Sequence, residues 1–176
     1  SGEFPYYKDV DEPNPISEIG KQKARAEKQI LLSGGLVVGL TKVVSPNFER
    51  FSSWFDALTE GQKIQAYENL NVSMVTLDDV VQLIVAAIKF DQNGVIHFSG
   101  ENEISYADIA LNIASRIGAD RELIERVTGN LEELVGPFSH ATLENSAFVD
   151  TVDLKTPSTD ELISMWVNGV NRAILE

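Results

Sequence analysis

The 176-residue chain contains no cysteine. That excludes disulfides, thiolate metal sites and a cysteine nucleophile, and it fits a reducing compartment, so the cytoplasm is the expected location. Histidine is nearly as scarce. His97 and His140 lie far apart and give no zinc-ligand spacing, so no metal site is expected. Positive charge is short: 14 Lys and Arg face 27 Asp and Glu, for a formal net charge of −13. Nucleic-acid binders need a basic patch and anionic membranes attract basic segments, so neither partner is expected. The negative charge is spread along the chain and reads as a solvated acidic surface. No apolar run approaches the ~20 residues that cross a bilayer. The opening "SGEFPYYKDV" lacks the basic-then-apolar pattern of a signal peptide. Finally, neither G-x-G-x-x-G nor G-x-x-G-x-x-G occurs anywhere. Such glycines let backbone amides cradle a pyrophosphate at a helix N-terminus, so this chain alone is not expected to hold a dinucleotide tightly.

What is present is an alternation of helix and strand signals, which predicts an α/β fold. Residues 1–16, rich in Pro, Asp and Glu, read as a loop. Ser17 can cap a helix running to about Leu32, ended by "SGG". "LVVGLTKVV" (Leu36 to Val44) is almost continuously apolar, as a buried parallel strand would be. Asn47 can cap the next helix, where Phe48, Phe51, Phe55 and Leu58 recur at helical spacing. "KIQAYENLNVSMV" reads as one or two short strands. Thr76 with Asp79, Ser105 with Asp108, and Ser158 with Glu161 are capping boxes that open three further helices. "NG" at Asn93–Gly94 precedes the short strand "VIHFSG", and Gly118 suits a helix C-cap. A strand is expected near Ile124 to Thr128, with mostly loop afterwards. In the last helix Leu162, Met165, Trp166, Val170 and Ile174 mark the apolar side. One strand between residues 36 and 44 needs a parallel neighbour. Either it pairs later in the chain or its neighbours lie in an absent segment.

Several motifs, in order, resemble extended short-chain dehydrogenases, closest to the branch of dTDP-4-dehydrorhamnose reductases and NAD-dependent epimerases/dehydratases. "SG" (Ser1, Gly2) is similar to the family's turn after a central strand, and "DEPNP" (Asp11 to Pro15) to its acidic loop. "IGKQK" (Ile19 to Lys23) with Ala26 and Glu27 resembles its Tyr-x-x-x-Lys helix. "GLTKVVSPN" (Gly39 to Asn47), "VSMVTLDDVVQLIVAAI" and "GVIHFSGENEISYADIALNIASRIG" resemble its later segments. The resemblance implies the C-terminal part of a Rossmann-like NAD(P)-binding fold plus a small mixed α/β substrate lobe, with the Gly-rich N-terminal half absent. The expected division is residues 1–47 as the tail of the Rossmann-like domain and residues 48–176 as the substrate lobe. It also implies NAD or NADP as cofactor of the whole protein, a nucleotide-sugar as small-molecule partner, and self-association or pairing with the missing half.

The resemblance puts Ile19 where the family has its proton-carrying tyrosine, and Lys23 where it has the lysine that contacts the nicotinamide ribose. The chemistry needs both. A phenol with a pKa of ~10 is a poor base at neutral pH, and a nearby cation stabilises its phenolate. Isoleucine neither gives nor takes a proton. Read from the helix alone, Lys23 belongs to the charged surface run "KQKAR". Tyr6 and Tyr7, in the preceding loop, are other phenols, which nothing in the sequence positions. Val44, Ser45 and Pro46 follow the end of a parallel strand, where open α/β sheets bind ligands, and the resemblance places them beside the nicotinamide. Asn47 is open to two readings, helix cap or substrate contact, and His140, in a loop, to exposure or substrate contact. His97, alternating with Ile96 and Phe98, reads as a half-buried structural histidine. Asp78 and Asp79 are accounted for by capping and the helix dipole, and Trp54 and Trp166 as packing anchors. Ser45 has no histidine motif near it, which excludes a hydrolase nucleophile.

The expected function is therefore the substrate-binding portion of a nucleotide-sugar reductase or epimerase, catalytically impaired by Ile19, with this piece alone inactive. The alternative is a non-catalytic binding or regulatory protein that kept the fold.

Overall fold

A computed structural model describes residues 4–130 and 140–175, with side chains as far as residue 170. Ser1, Gly2 and the side chain of Ile174 lie outside the described residues. Ser17 caps helix α1 (Glu18–Leu32) as expected, its side chain accepting the Gly20 N–H at 3.1 Å. Ser33 closes it, with its N–H bonded back to Gln29 and Ile30.

The single strand expected from Leu36 to Val44 is two strands. β1 (Leu36–Leu40) and β2 (Lys42–Val44) join different sheets. Thr41 is the break: its N–H still donates to Phe98 O at 3.3 Å, while its hydroxyl accepts from Gly100 N–H at 3.4 Å. The neighbour that β1 requires lies later in the chain. It pairs in parallel with β5 (Gly94–Phe98), Leu36 opposite Gly94 and Leu40 opposite Phe98. The apolar run predicts full burial, yet all five β1 residues are only partly buried. β5 covers one edge, and no strand among the described residues covers the other.

β2 pairs in parallel with β4 (Asn71–Thr76), and β4 pairs antiparallel with β6 (Glu103–Ser105). A third, parallel pair joins β3 (Ile64–Tyr67) to β7 (Ile124–Val127), so the stretch before Thr76 holds two strands and the strand near Ile124 is present. Helix α2 (Glu49–Thr59) buries Phe51, Trp54, Phe55 and Leu58. Its cap position is Phe48 rather than Asn47, and no side chain caps it. Phe48 packs edge-on against Phe51, ring centroids 4.9 Å apart, and its N–H closes a turn onto Ser45 O. That aromatic contact starts the helix one residue later and leaves Asn47 in the loop.

The three capping boxes hold. Thr76 caps α3 (Leu77–Lys89), and Ser105 caps α4 (Tyr106–Ile117), which Gly118 ends at φ 72°. Ser158 and Glu161 bond reciprocally at the start of α6 (Thr159–Leu175). A five-residue helix, α5 (Ala147–Thr151), stands where loop was expected. Met165, placed on the apolar side of α6 by spacing, is 59% exposed.

Two apolar clusters meet at β4. Val72 and Met74 enter the larger, with α2, α4 and α6. Val75 enters the smaller, with β1, β5, α3 and Val149 of α5. The period-2 alternation of a strand makes this division possible. Between the clusters, Gly100 passes so close to β4 that a Cβ would lie 2.3 Å from Met74 O and 2.8 Å from Met74 N. Both atoms are ladder backbone and cannot swing aside. Gly100→Ala is expected to destabilise the fold by about 1–3 kcal/mol, read as a lower urea midpoint at unchanged slope. An unchanged midpoint would show that β4 can move at this point.

Candidate functional site

Helix α1 is covered along one narrow stripe. Gly20, Ala24, Glu27 and Leu31, at helical spacing, are half-buried, and no residue of the helix is fully buried. The rest of α1 is open surface. Ile19 is 69% exposed. Lys23, one turn on, is exposed and makes no hydrogen bond or ion pair with another described residue. Its neighbour Lys21 pairs weakly with Glu18 at 3.7 Å. Ile19 and Lys23 thus share a face on which a cation stands one turn from an apolar side chain, with the Glu27 carboxylate one turn beyond Lys23.

A first cavity of about 140 Å³ opens where β2 and β4 end side by side, Val44 opposite Thr76. Val44, Ser45 and Pro46 form one wall and the start of α3, Thr76 to Asp78, a second. The third comes from α6: Leu162, Trp166 and Gly169 among others. The structure therefore brings Val44, Ser45 and Pro46 together with residues the sequence did not tie to any site. Asn47, Lys23 and Ile19 do not line this cavity.

A second, polar pocket of about 270 Å³ lies under the N-terminal loop and is lined by His97, His140, Tyr7 and Glu27 together with acidic residues of that loop. Tyr7 bridges to Leu143 as an isolated parallel pair. The Tyr7 carbonyl accepts from Glu144 N–H at 3.0 Å and lies 3.2 Å from His97 Nδ1. His97 is half-buried, and its ring stands over Gly39, the residue opposite it in register. A Cβ on Gly39 would come within 2.7 Å of His97 Cδ2. Ser146 Oγ accepts the His97 N–H at 2.9 Å and donates to the Asp9 carboxylate. Both tyrosines of the loop are thereby located. Tyr6 has φ 60° and is about half exposed.

Glu103 fastens the other loop. Its carboxylate accepts from Ala141 N–H (2.5 Å), Thr142 N–H (2.9 Å) and the Thr142 hydroxyl (3.0 Å), and lies 3.2 Å from His140 Nδ1. Burial on its own raises the Glu103 pKa. The bonds from Ala141, Thr142 and His140 outweigh it and hold the carboxyl below the ordinary glutamate range. His140 is thus half-buried and tied to a carboxylate. Beside this pocket a wider groove of about 600 Å³ runs along α1, lined by Asp9, Asp11, Glu12 and Glu27, by Lys28, and by apolar residues that include Leu31 and Val95. Four carboxylates against one cation leave the groove net negative, which disfavours phosphate groups. No cluster of potential metal ligands occurs among the described residues.

No protein-family model and no curated protein matches the chain. Solved structures do. dTDP-glucose 4,6-dehydratase from Bacillus anthracis, in complex with NAD, superposes with a TM-score of 0.80 at 16% identity, covering 98% of this chain and 58% of that one. A dTDP-4-dehydrorhamnose reductase from Clostridium acetobutylicum gives 0.79 at 18% identity, over 97% and 62%. MoeE5, in complex with UDP-glucose and NAD, gives 0.78 at 15% identity, over 99% and 62%. The chain shares the Rossmann-like α/β fold of these enzymes and spans about six-tenths of their length.

The Glu103 contacts carry a pH dependence. A pKa lowered by folding contributes stability that is fully present above the unfolded value of 4.5 and is lost as pH falls through the lower folded value. Glu103→Gln keeps the shape and removes the charge, leaving the amides of Ala141 and Thr142 weaker partners. Faster hydrogen exchange at those two amides, with β4 unchanged, is the expected result. Unaltered protection would mean that other contacts hold the loop.

Proposed function

We propose that the chain is the substrate-side portion of an NAD(P)-dependent nucleotide-sugar reductase, epimerase or dehydratase, impaired in proton transfer by Ile19. The observation that carries this reading is the superposition of nearly the whole chain on enzymes solved with NAD and with nucleotide-sugars. Lys23 on α1 is the lysine of the ancestral pair, exposed and unengaged, one helical turn from an isoleucine that cannot carry a proton. Val44, Ser45 and Pro46 border the cofactor, and Asn47 and His140 border the sugar. The open edge of β1 and the bare face of α1 pair with a dinucleotide-binding half, which supplies the phosphate cradle that this chain lacks. A second reading keeps the same ligands without turnover. It is favoured by the Ile19 face itself, where an isoleucine and not a phenol stands one turn before Lys23.

The two readings separate by mutation. In protein joined to its dinucleotide-binding half, Ile19→Tyr is expected to raise hydride transfer to a nucleotide-sugar, within the ~10²–10⁴-fold range of general acid–base catalysis. Ile19→Phe supplies the ring without the hydroxyl and should give no gain. Lys23→Met in the tyrosine background should remove most of it, since the cation that stabilises phenolate is gone. Equal rates for the Tyr and Phe variants would favour the non-catalytic reading, and fast turnover by the unaltered protein would assign the proton to another group.

A further inference from the structure

Val95 of β5 has a free backbone edge. In the β1–β5 ladder Gly94 N–H donates to Gly35 O. Gly94, Ile96 and Phe98 therefore turn their backbone groups toward β1, and Val95 and His97 turn theirs to the far side. At His97 that side is taken: Ser146 N–H donates to His97 O at 3.1 Å, and His97 N–H donates to Ser146 Oγ at 2.9 Å. At Val95 neither the N–H nor the C=O meets another described residue. Val95 is half-buried, and unpaired strand groups withdrawn from water are a template for another chain. This edge lies on the opposite side of the two-stranded sheet from the open edge of β1. The groove along α1 opens on it. Alternation sets the Val95 side chain on the face away from Ile96, where it lines the groove with Ala24, Leu31 and Leu32 of α1. Glu27 stands among these apolar residues, half-buried, with no hydrogen bond or ion pair to another described residue. A carboxylate drawn partly out of water without a cation is unfavourable, and the fold makes no use of its charge.

We propose that this groove takes an extended segment of a partner protein whose inward-facing side chains are apolar and basic. The segment's backbone pairs with the two free groups of Val95, as peptides do when they add to a sheet edge. Every second side chain then faces α1. An apolar one rests on Leu31, Leu32 and Val95. A lysine lays its aliphatic stem on the same floor and carries its charge to Glu27. The sign of the groove selects this partner, since its carboxylates outnumber Lys28. Ser146, already paired with His97, limits how far an added strand can run, so the contact is short and the affinity modest. The inference is independent of the nucleotide-sugar reading: neither cofactor nor sugar enters it, and the dinucleotide-binding half is assigned to the other edge.

The test titrates the ¹⁵N-labelled chain with the acetylated, amidated peptide Lys-Thr-Val-Thr-Lys. The Val95 amide is expected to shift to saturation and to exchange more slowly, while the Val38 amide, on the open edge of β1, stays as it was. Glu-Thr-Val-Thr-Glu should leave Val95 unmoved, and Lys-Thr-Ser-Thr-Lys, which lacks the apolar side chain, should bind more weakly. Glu27→Gln should weaken binding roughly three- to tenfold. It should unfold no earlier than the unaltered chain, because the charge it removes has no partner. Glu49→Gln removes an exposed carboxylate of α2 outside the groove and should bind as before. A Val95 amide that neither moves nor slows at saturating peptide overturns the proposal. So does equal weakening by Glu27→Gln and Glu49→Gln, which would mean attraction by net charge alone. An equal response from spermidine, which has the cations without a peptide backbone, would overturn it as well.

Discussion

Four consecutive buried residues of β4, Val72 to Val75, hold the fold together. A strand can serve two cores at once only if its alternation matches both. Here Val72 and Met74 fill one cluster while Val75 fills the other. Ser73, fully buried, meets the Ser99 hydroxyl at 3.2 Å and donates to Gly100 O at 3.1 Å, so its polar group is satisfied where an apolar one would be cut off from the loop it secures. A one-residue slip would exchange the two faces. β4 also ends at Thr76, which caps α3 and borders the cavity beside β2. The position of every proposed ligand-contacting residue on that side follows from this one strand.

Helix α1 is the counterexample. It buries nothing completely, and only Gly20, Ala24, Glu27 and Leu31, along one stripe, are half-buried. In an isolated helix of this length, propensity alone gives marginal stability, so α1 relies on its caps and on β1. Beside that stripe Ile19 and Ile30 are exposed on one flank and Leu32 on the other, more apolar surface than a helix facing only water requires. A cationic, apolar surface beside an unpaired strand edge is consistent with a further layer of structure docking there. It also places the Ile19–Lys23 face next to that layer.

Local rules made most of the helices legible in the sequence. Ser17, Thr76, Ser105 and Ser158 announce helix starts because their bonds reach only two or three residues along the chain. Features set by distant contacts were not legible. Nothing within "LVVGLTKVV" says that Thr41 must leave one sheet for another, since Phe98 and Gly100 draw it away. Asn47 had the right chemistry for a cap, but the Phe48–Phe51 contact moved the helix start. Ser146 precedes α5 and does not cap it, because its hydroxyl is engaged by His97 and Asp9; without a cap signal, five residues read as loop. The candidate site divides in the same way. Val44 to Pro46 could be found from the rule that ligands sit at the ends of parallel strands. Leu162 and Trp166 could not, because only the packed structure brings the last helix against the ends of β2 and β4.

Hydrogen exchange along β1 tests most directly the claim that this chain presents an unfinished sheet. The register, with Gly94 N–H bonded to Gly35 O and Thr41 N–H to Phe98 O, fixes the parity of the ladder. The amides of Val37, Gly39 and Thr41 point to β5, and those of Leu36, Val38 and Leu40 point to the open edge. Slow exchange at the first set and fast exchange at the second is the predicted pattern. Uniform protection from Leu36 to Thr41 would show both edges of β1 already paired and would contradict the account.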